Sequence, residues 1–401
     1  MEMLSFYIIQ GVLVMENNDR FDIIYFAPCK FNQGVGGSAR LTNMCRVLNE
    51  MGLKIHLISY VNGDKFKIEK EQYNEFLSAT TVYVPRNYPR ALKFLAIFPM
   101  LINGIKKINK TNMIFTQAPS MVTGFPGVIL KKLFNKPLVV DHIDVKDAQT
   151  PVFLCNYVMK NCTMVFALTN YLMKDAMEKG CDNVFYMPLF LNTEFFNKNL
   201  DQRYKLRQKL GISSEDVVIG YAGTLSPVEG VPILLKAFKN LYCKFKNIKL
   251  VVIGVPNVNG SDNVYKLSQE LGLGEEVIIL PPQPFEQMPN YLSMFDIACS
   301  PKKDLPVNRA TVPIKIYEYM SMGLTTVISA VGETVNMASD KKDVFLFKPD
   351  DPEDLEEILT HIIKKPDIAL NVGERARKKM VDNFSEPALK GRIKLALSEL
   401  M

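Results

Sequence analysis

The chain has 401 residues, of which 48% are hydrophobic and 22% charged, the make-up of a globular protein with about two to three cores, which excludes disorder, collagen and coiled coil. Its seven cysteines are scattered without a Cys-x-x-Cys pair and its three histidines stand far apart, which argues against zinc, a disulfide framework and a histidine metal centre. The net charge of +6 is one-sided: residues 1–190 hold 21 Lys and Arg against 15 Asp and Glu, while the rest holds 27 of each.

Met1–Val14 is apolar but carries Glu2 and lacks a cationic leader, so it makes a poor signal peptide. Residues 1–20 read as an extension without a clear element, with Met15 as a second possible start. From Phe21 strands and helices alternate. Phe21–Ala27 reads as a buried strand, Ser38–Met51 as a helix with Ser38 as its N-cap, and Lys54–Ser59 as the next strand. No acidic residue occurs between Glu75 and Asp141, a span carrying Arg86, Arg90, Lys93, Lys106, Lys107, Lys110, Lys131, Lys132 and Lys136. Apolar residues interleave with these bases (Phe94, Leu95, Ile97, Phe98, Met100, Leu101), so an anionic membrane surface is the expected partner rather than nucleic acid. A strand Asn112–Thr116, a helix Phe125–Phe134, strands Pro137–Val140 and Met164–Ala167, and a helix Thr169–Lys179 follow. The polar, charged segment Asn192–Glu215 reads as a linker. A second cycle then has strands at Val217–Tyr221, Lys249–Gly254, Val277–Leu280, Ile297–Ser300 and Thr325–Ser329, with helices at Val231–Phe245, Phe285–Met294, Pro313–Met322, Asp351–Lys364 and Glu386–Met401. Such alternation implies parallel strands joined by helical crossovers. No run reaches ~18 uninterrupted apolar residues, so no membrane-spanning helix is expected.

Four places have the residue types for chemistry. Gln33–Arg40 (Gln-Gly-Val-Gly-Gly-Ser-Ala-Arg) follows a strand and opens a helix. Its glycines admit a ligand to the backbone, and the helix start offers free N–H groups to a phosphate. No Asp or Glu closes the next strand near Tyr60, which disfavours a nicotinamide cofactor. Val139–Asp144 puts His142 and Asp144 at the carboxyl end of an apolar strand; alternation sets them on one face and Asp141 and Ile143 on the other, a placement from which His142 and Asp144 could act together. Gly220–Val231 is a strand, a glycine loop and a helix start. In the fourth place, Ala298–Pro301 precedes a helix bounded by Pro313 and Gly323. Glu318 shares a face of that helix with Ile314 and Met322, and a carboxylate among apolar neighbours needs a partner such as paired ligand hydroxyls.

The third and fourth places, in this order, resemble the donor-nucleotide domain of retaining GT-B glycosyltransferases of the family 4 type. Gly34–Ser38 resembles that family's N-terminal glycine loop, Ser293–Pro301 its Ala-Asp-x-x-x-x-Pro-Ser strand and Tyr186–Phe196 its hinge sequence, so the resemblance covers about residues 21–400. It implies an α/β fold of two doubly wound Rossmann-like domains facing across a cleft. Residues 21–191 would form the acceptor-side domain, 192–215 the linker, 216–384 the nucleotide-sugar-binding domain and 385–401 a helix crossing back to the first domain. The resemblance also implies sugar transfer from a UDP- or GDP-sugar to a lipid-linked or saccharide acceptor, retaining configuration and with no obligatory metal. The setting it implies is cell-surface glycan synthesis by a cytoplasmic enzyme peripheral to the inner face of the plasma membrane.

By position, Glu318 corresponds to the family's ribose-binding carboxylate. Gly36, Gly37, Gly223 and Thr224 would line the donor's diphosphate, with the N–H groups of Thr311 and Val312 at a helix start beside it and His142 or Asp144 near the reacting sugar. The family usually carries arginine where Thr224 stands, lysine where Glu229 stands and a glutamate where Ala310 stands. Cations for the leaving diphosphate must therefore come from elsewhere. Lys315 is the first candidate and Arg309 or Lys302 the next, with Glu229 expected to turn away or to hold a ligand hydroxyl. A nucleotide-sugar 2-epimerase and a non-catalytic binding partner are the other two readings.

Overall fold

The computed structural model describes residues 21–32, 36–87, 94–144, 150–255 and 261–400. The extension 1–20, Gln33, Gly34 and Val35 of the glycine loop, and Arg90 and Lys93 of the basic span lie outside the described residues. The chain divides into two compact units, Met1–Pro188 with Lys390–Met401, and Leu189–Leu389.

In the first unit β1 (Ile23–Ala27), β2 (Ile55–Gly63), β3 (Lys67–Gln72), β4 (Leu77–Pro85), β5 (Met113–Gln117), β6 (Leu138–His142), β7 (Met164–Ala167) and β8 (Val184–Tyr186) form one sheet. Its order is β3-β4-β2-β1-β5-β6-β7-β8, and only the β3–β4 pairing is antiparallel. Strands β1, β5, β6 and β7 are buried at every residue, as continuous apolar strands covered on both faces must be. The helices are α1 (Gly36–Glu50), α2 (Ile97–Ile108), α3 (Gly124–Phe134), α4 (Val152–Asn161) and α5 (Asn170–Glu178). Met100 of α2, Leu130 of α3, Val158 of α4 and Leu172 of α5 share one core with Ile24, Ile114 and Val140, each such side chain contributing about 1.5–3 kcal/mol by leaving water. β6 runs two residues further than its apolar stretch suggests, so His142 ends a strand instead of opening a loop. The charged β3 is an edge strand, where charge discourages further pairing.

In the second unit β9 (Val217–Thr224), β10 (Ile248–Val255), β11 (Val277–Leu280), β12 (Ile297–Ser300), β13 (Thr325–Ser329) and β14 (Phe345–Phe347) make a parallel sheet in the order β11-β10-β9-β12-β13-β14. Its longer helices are α6 (Leu200–Lys209), α7 (Val231–Lys244), α8 (Ser261–Glu270), α9 (Ile314–Ser321), α10 (Pro352–Lys364) and α11 (Pro366–Phe384). The segment 192–215, expected as a linker, is part of this unit. Its helix α6 is anchored by Arg203 and Arg207, which pair with the two oxygens of Asp296 at 2.5 and 2.6 Å. Just before α6, Phe195 stacks on Phe285 at 5.2 Å. The last helix, α12 (Glu386–Ser398), belongs to the first unit from Lys390 onward. There Ile393 and Leu397 are buried, Lys390 Nζ donates to the Glu50 carbonyl at 3.2 Å, and Arg392 lies over the Tyr186 ring at 5.6 Å.

Candidate functional site

Open parallel sheets bind ligands beyond the carboxyl ends of their strands, where neighbouring connections leave in opposite directions. The strand orders put that point between β1 and β5 in the first unit and between β9 and β12 in the second.

At the first point Gln117, the last residue of β5, donates from Nε2 to the Gly37 carbonyl at 2.8 Å and accepts from the Cys29 thiol at 3.3 Å. The next residue, Ala118, has φ +66°, a left-handed conformation that costs a residue with a Cβ. α1 starts at Gly36, so Ser38 is not its N-cap; the Ser38 hydroxyl donates to the Lys30 carbonyl at 2.9 Å. Arg40 and Asp141 form a buried ion pair, with Arg40 Nη2 2.5 Å and Nε 3.0 Å from Asp141 Oδ1. Arg40 Nη1 also donates to the Pro188 carbonyl, and the Tyr25 hydroxyl to Asp141.

His142 and Asp144 do not act together. The His142 ring is fully buried and its Nε2 lies 2.8 Å from Asp175 Oδ2 on α5, whereas Asp144 is exposed in the loop after β6. Burial alone would raise the Asp175 carboxyl; the hydrogen bonds from His142 and from Lys179 at 2.6 Å hold it below the usual aspartate value. His142 Nδ1 is buried and has no hydrogen-bond partner among the described residues. The partner was missed because alternation arguments see only residues of the same strand.

The second point gathers more charge. Lys315, on the first turn of α9, is buried; its Nζ donates to Glu229 Oε2 at 2.6 Å and to the Tyr221 hydroxyl at 2.8 Å, above the Tyr221 ring at 4.3 Å. Gly223 permits this: its φ is +150°, and a Cβ there would stand 2.7 Å from that ammonium. Burial pulls the Lys315 ammonium below its ordinary value against the opposing pull of Glu229. For Glu229, burial raises the carboxyl, but Lys315 and Lys302 outweigh it and hold the value low. Lys302 Nζ is 3.7 Å from Glu229 Oε1 and donates to Asn308 Oδ1 at 3.0 Å. Asn308 in turn donates to the carbonyls of Val228 and Lys303. Gly230, with φ +71°, lets these loops touch: a Cβ there would lie 1.8 Å from the Pro301 carbonyl oxygen.

Glu229 thus pairs with Lys315, the cation expected to face the phosphates. Thr224 is exposed, and its carbonyl accepts from the Tyr221 hydroxyl at 2.7 Å. Thr311 and Val312 precede the N-cap Pro313, so the first-turn N–H groups of α9 belong to the residues after them. Arg309 is exposed and held by Asp304 through Nε at 2.7 Å and Nη2 at 2.9 Å. Glu318 is partly buried and its carboxyl accepts no hydrogen bond among the described residues; burial pushes it up to about 7, with Lys315 opposing. Tyr221 and Tyr319 were missed by sequence reasoning. The Tyr319 hydroxyl accepts from the Ala222 N–H at 2.7 Å and ties α9 to β9. No cluster of three His, Cys, Asp or Glu able to hold a metal occurs among the described residues.

Two parallel-sheet domains of this kind define a GT-B protein. HepE of Anabaena in complex with UDP is similar with a TM-score of 0.75 over 94% of this chain and 100% of that one, at 16% identity. Sucrose-phosphate synthase of Thermosynechococcus elongatus is similar with a TM-score of 0.76 over 94% and 99%, also at 16% identity. Residues 202–379 match the model of the family Glycosyl transferases group 1. D-inositol 3-phosphate glycosyltransferase of Stackebrandtia nassauensis is 24% identical over 196 residues, 47% of this chain and 43% of that protein. Lipopolysaccharide 1,2-N-acetylglucosaminetransferase of Salmonella typhimurium is 36% identical over 103 residues, 24% of this chain and 27% of that protein. The chain thus aligns with less than half the length of these curated relatives.

Proposed function

We propose that the protein is a glycosyltransferase moving a sugar, with retention of configuration, from a nucleotide-diphosphate donor to a saccharide or lipid-linked acceptor in cell-surface glycan synthesis. The observation that carries the reading is the convergence of Lys315 and Lys302 on Glu229, beside the unpaired Glu318, within the segment of the group 1 family. Breaking the sugar–phosphate bond puts charge on the leaving diphosphate. An ammonium already desolvated and held in place stabilises that charge without reorganising. In the free protein Glu229 occupies Lys315, so the donor's diphosphate must displace this carboxylate. Glu318 is the acceptor for the ribose hydroxyls, which supply the partners it lacks. HepE is described with UDP and with UDP-glucose, which supports a UDP-sugar as donor. The names of the curated relatives support inositol phosphate or glycan acceptors. The reading includes catalysis without an obligatory metal and a cytoplasmic site of action, where nucleotide sugars are made.

The test is thermal stabilisation by UDP, GDP and their sugars, followed by transfer assays with the stabilising donor, with and without EDTA, and NMR of the product's anomeric centre. Ligand that binds only the folded protein raises its melting temperature; no shift with any nucleotide overturns the reading. The neutralised Lys315 favours a second reading, a binding partner without turnover. Stabilisation by UDP without transfer to any glycan or lipid acceptor selects it.

A further inference from the structure

Helices α2, α3 and α4 lie side by side on one face of the first unit's sheet. Leu130 of α3 packs into Gly104 of α2, where a Cβ would stand 2.7 Å from it, and Phe125 of α3 meets Tyr157 of α4 at 6.2 Å. Their inner residues share one core. Their outer surfaces are not those of a solvated layer. Phe98 is 62% exposed, Leu133 67% and Phe153 69%, one on each helix, with Ile102 on α2 and Leu95 in the turn just before it extending the stripe. Single exposed hydrophobic residues are ordinary, but a set spanning three neighbouring helices is not. Exposed Lys106, Lys110, Lys132 and Lys160 stand among them, and neither residues 76–140 nor α4 contain an Asp or Glu. Lys132 is held over the Tyr157 ring at 4.9 Å and donates to its hydroxyl at 2.9 Å, so a cation and an aromatic ring are presented together.

We propose that this three-helix face docks on an anionic lipid bilayer, its phenyl and aliphatic side chains entering the boundary of the acyl layer and its lysines meeting headgroup phosphates. Charge selects this occupant. A second copy of the chain would set lysines against lysines, and nucleic acid would meet the cations but leave Phe98, Leu133 and Phe153 in water. A bilayer satisfies both. The inference does not depend on sugar transfer, because none of these residues belongs to the sites above.

The test is co-sedimentation of the full chain with phosphatidylcholine vesicles, with and without phosphatidylglycerol, at rising salt. Binding is expected only to the anionic vesicles and should weaken steeply with salt. Phe98→Ser with Phe153→Ser should weaken it about tenfold or more, and Lys106→Gln with Lys132→Gln should abolish the preference for anionic lipid. Both side-chain pairs are exposed, so unchanged melting temperatures check that the variants are folded. Equal sedimentation of parent and variants overturns the proposal. So does binding to RNA in place of vesicles, or a variant-sensitive change in oligomeric state without vesicle binding.

Discussion

Glu318 couples the candidate site to pH. Burial raises its carboxyl from an ordinary 4.5 to about 7. The stability it contributes is therefore complete below its unfolded value and lost as pH rises through about 7. On the proposed reading donor binding runs the other way, because the ionised carboxylate is the stronger acceptor. UDP affinity should rise between pH ~6 and ~8, and Glu318→Gln should remove that rise and weaken binding by about 1.5–3 kcal/mol; calorimetry across pH reads both. On the proposed reading Glu229→Gln removes the carboxylate that competes with the diphosphate, so UDP should bind more tightly. In that background Lys315→Ala should lower turnover about 10²–10³-fold without stranding a buried carboxylate. A steady-state comparison of the single and double variants measures this, and unchanged turnover would remove Lys315 from the reaction. Glu318 was legible as a candidate because it is a carboxylate among apolar neighbours, and Lys315 and Lys302 only because the resemblance leaves the diphosphate without its usual cations. The Lys315–Glu229 contact was not, since 86 residues of chain separate the partners.

The elements show where sequence patterns carry information and where they do not. β1, β7, β11, β12 and β13 were legible to within a residue or two, because buried parallel strands are continuous apolar runs bounded by turn residues. α11 left little trace, although it is 19 residues long. Its buried stripe is made largely of Ala369, Val372, Gly373 and Ala376, and a Cβ on Gly373 would lie 2.6 Å from the Gly323 carbonyl oxygen. Small residues chosen for close approach carry little hydrophobic signal. α4 hid for the opposite reason, with Val152 and Phe153 exposed on the face that periodicity would have made polar. The loop elements at the β9–β12 switch point depend on Gly230. Gly230→Ala would add a Cβ against the Pro301 carbonyl in a left-handed backbone, costing at least about 1–3 kcal/mol of stability. It should also weaken UDP binding by pushing the Pro301–Lys302 loop, and with it the Lys302 cation, away from the switch point. A normal melting temperature with normal affinity would contradict the packing described.

At the scale of the molecule, each unit has its own stabilising device. In the first, Arg40 and Asp141 are buried together, and removing one partner by Asp141→Ala should cost about 3–5 kcal/mol by leaving a charge unpaired in the core; urea unfolding followed in both units by hydrogen exchange would detect it. A loss spread equally over both units would refute this localisation. Replacing Ile393 and Leu397 by Ser should likewise loosen the first unit while the amides of β9 and β10 keep their protection, at about 2–5 kcal/mol for each core side chain lost. The allocation of residues 390–401 to the first unit has a consequence for biosynthesis. A ribosome delivers Leu189–Leu389 before it delivers the closing residues of α12. The second unit therefore has its whole chain available while the seats of Ile393 and Leu397 in the first are still open to water. The half of the protein that is synthesised first is the half that is finished last.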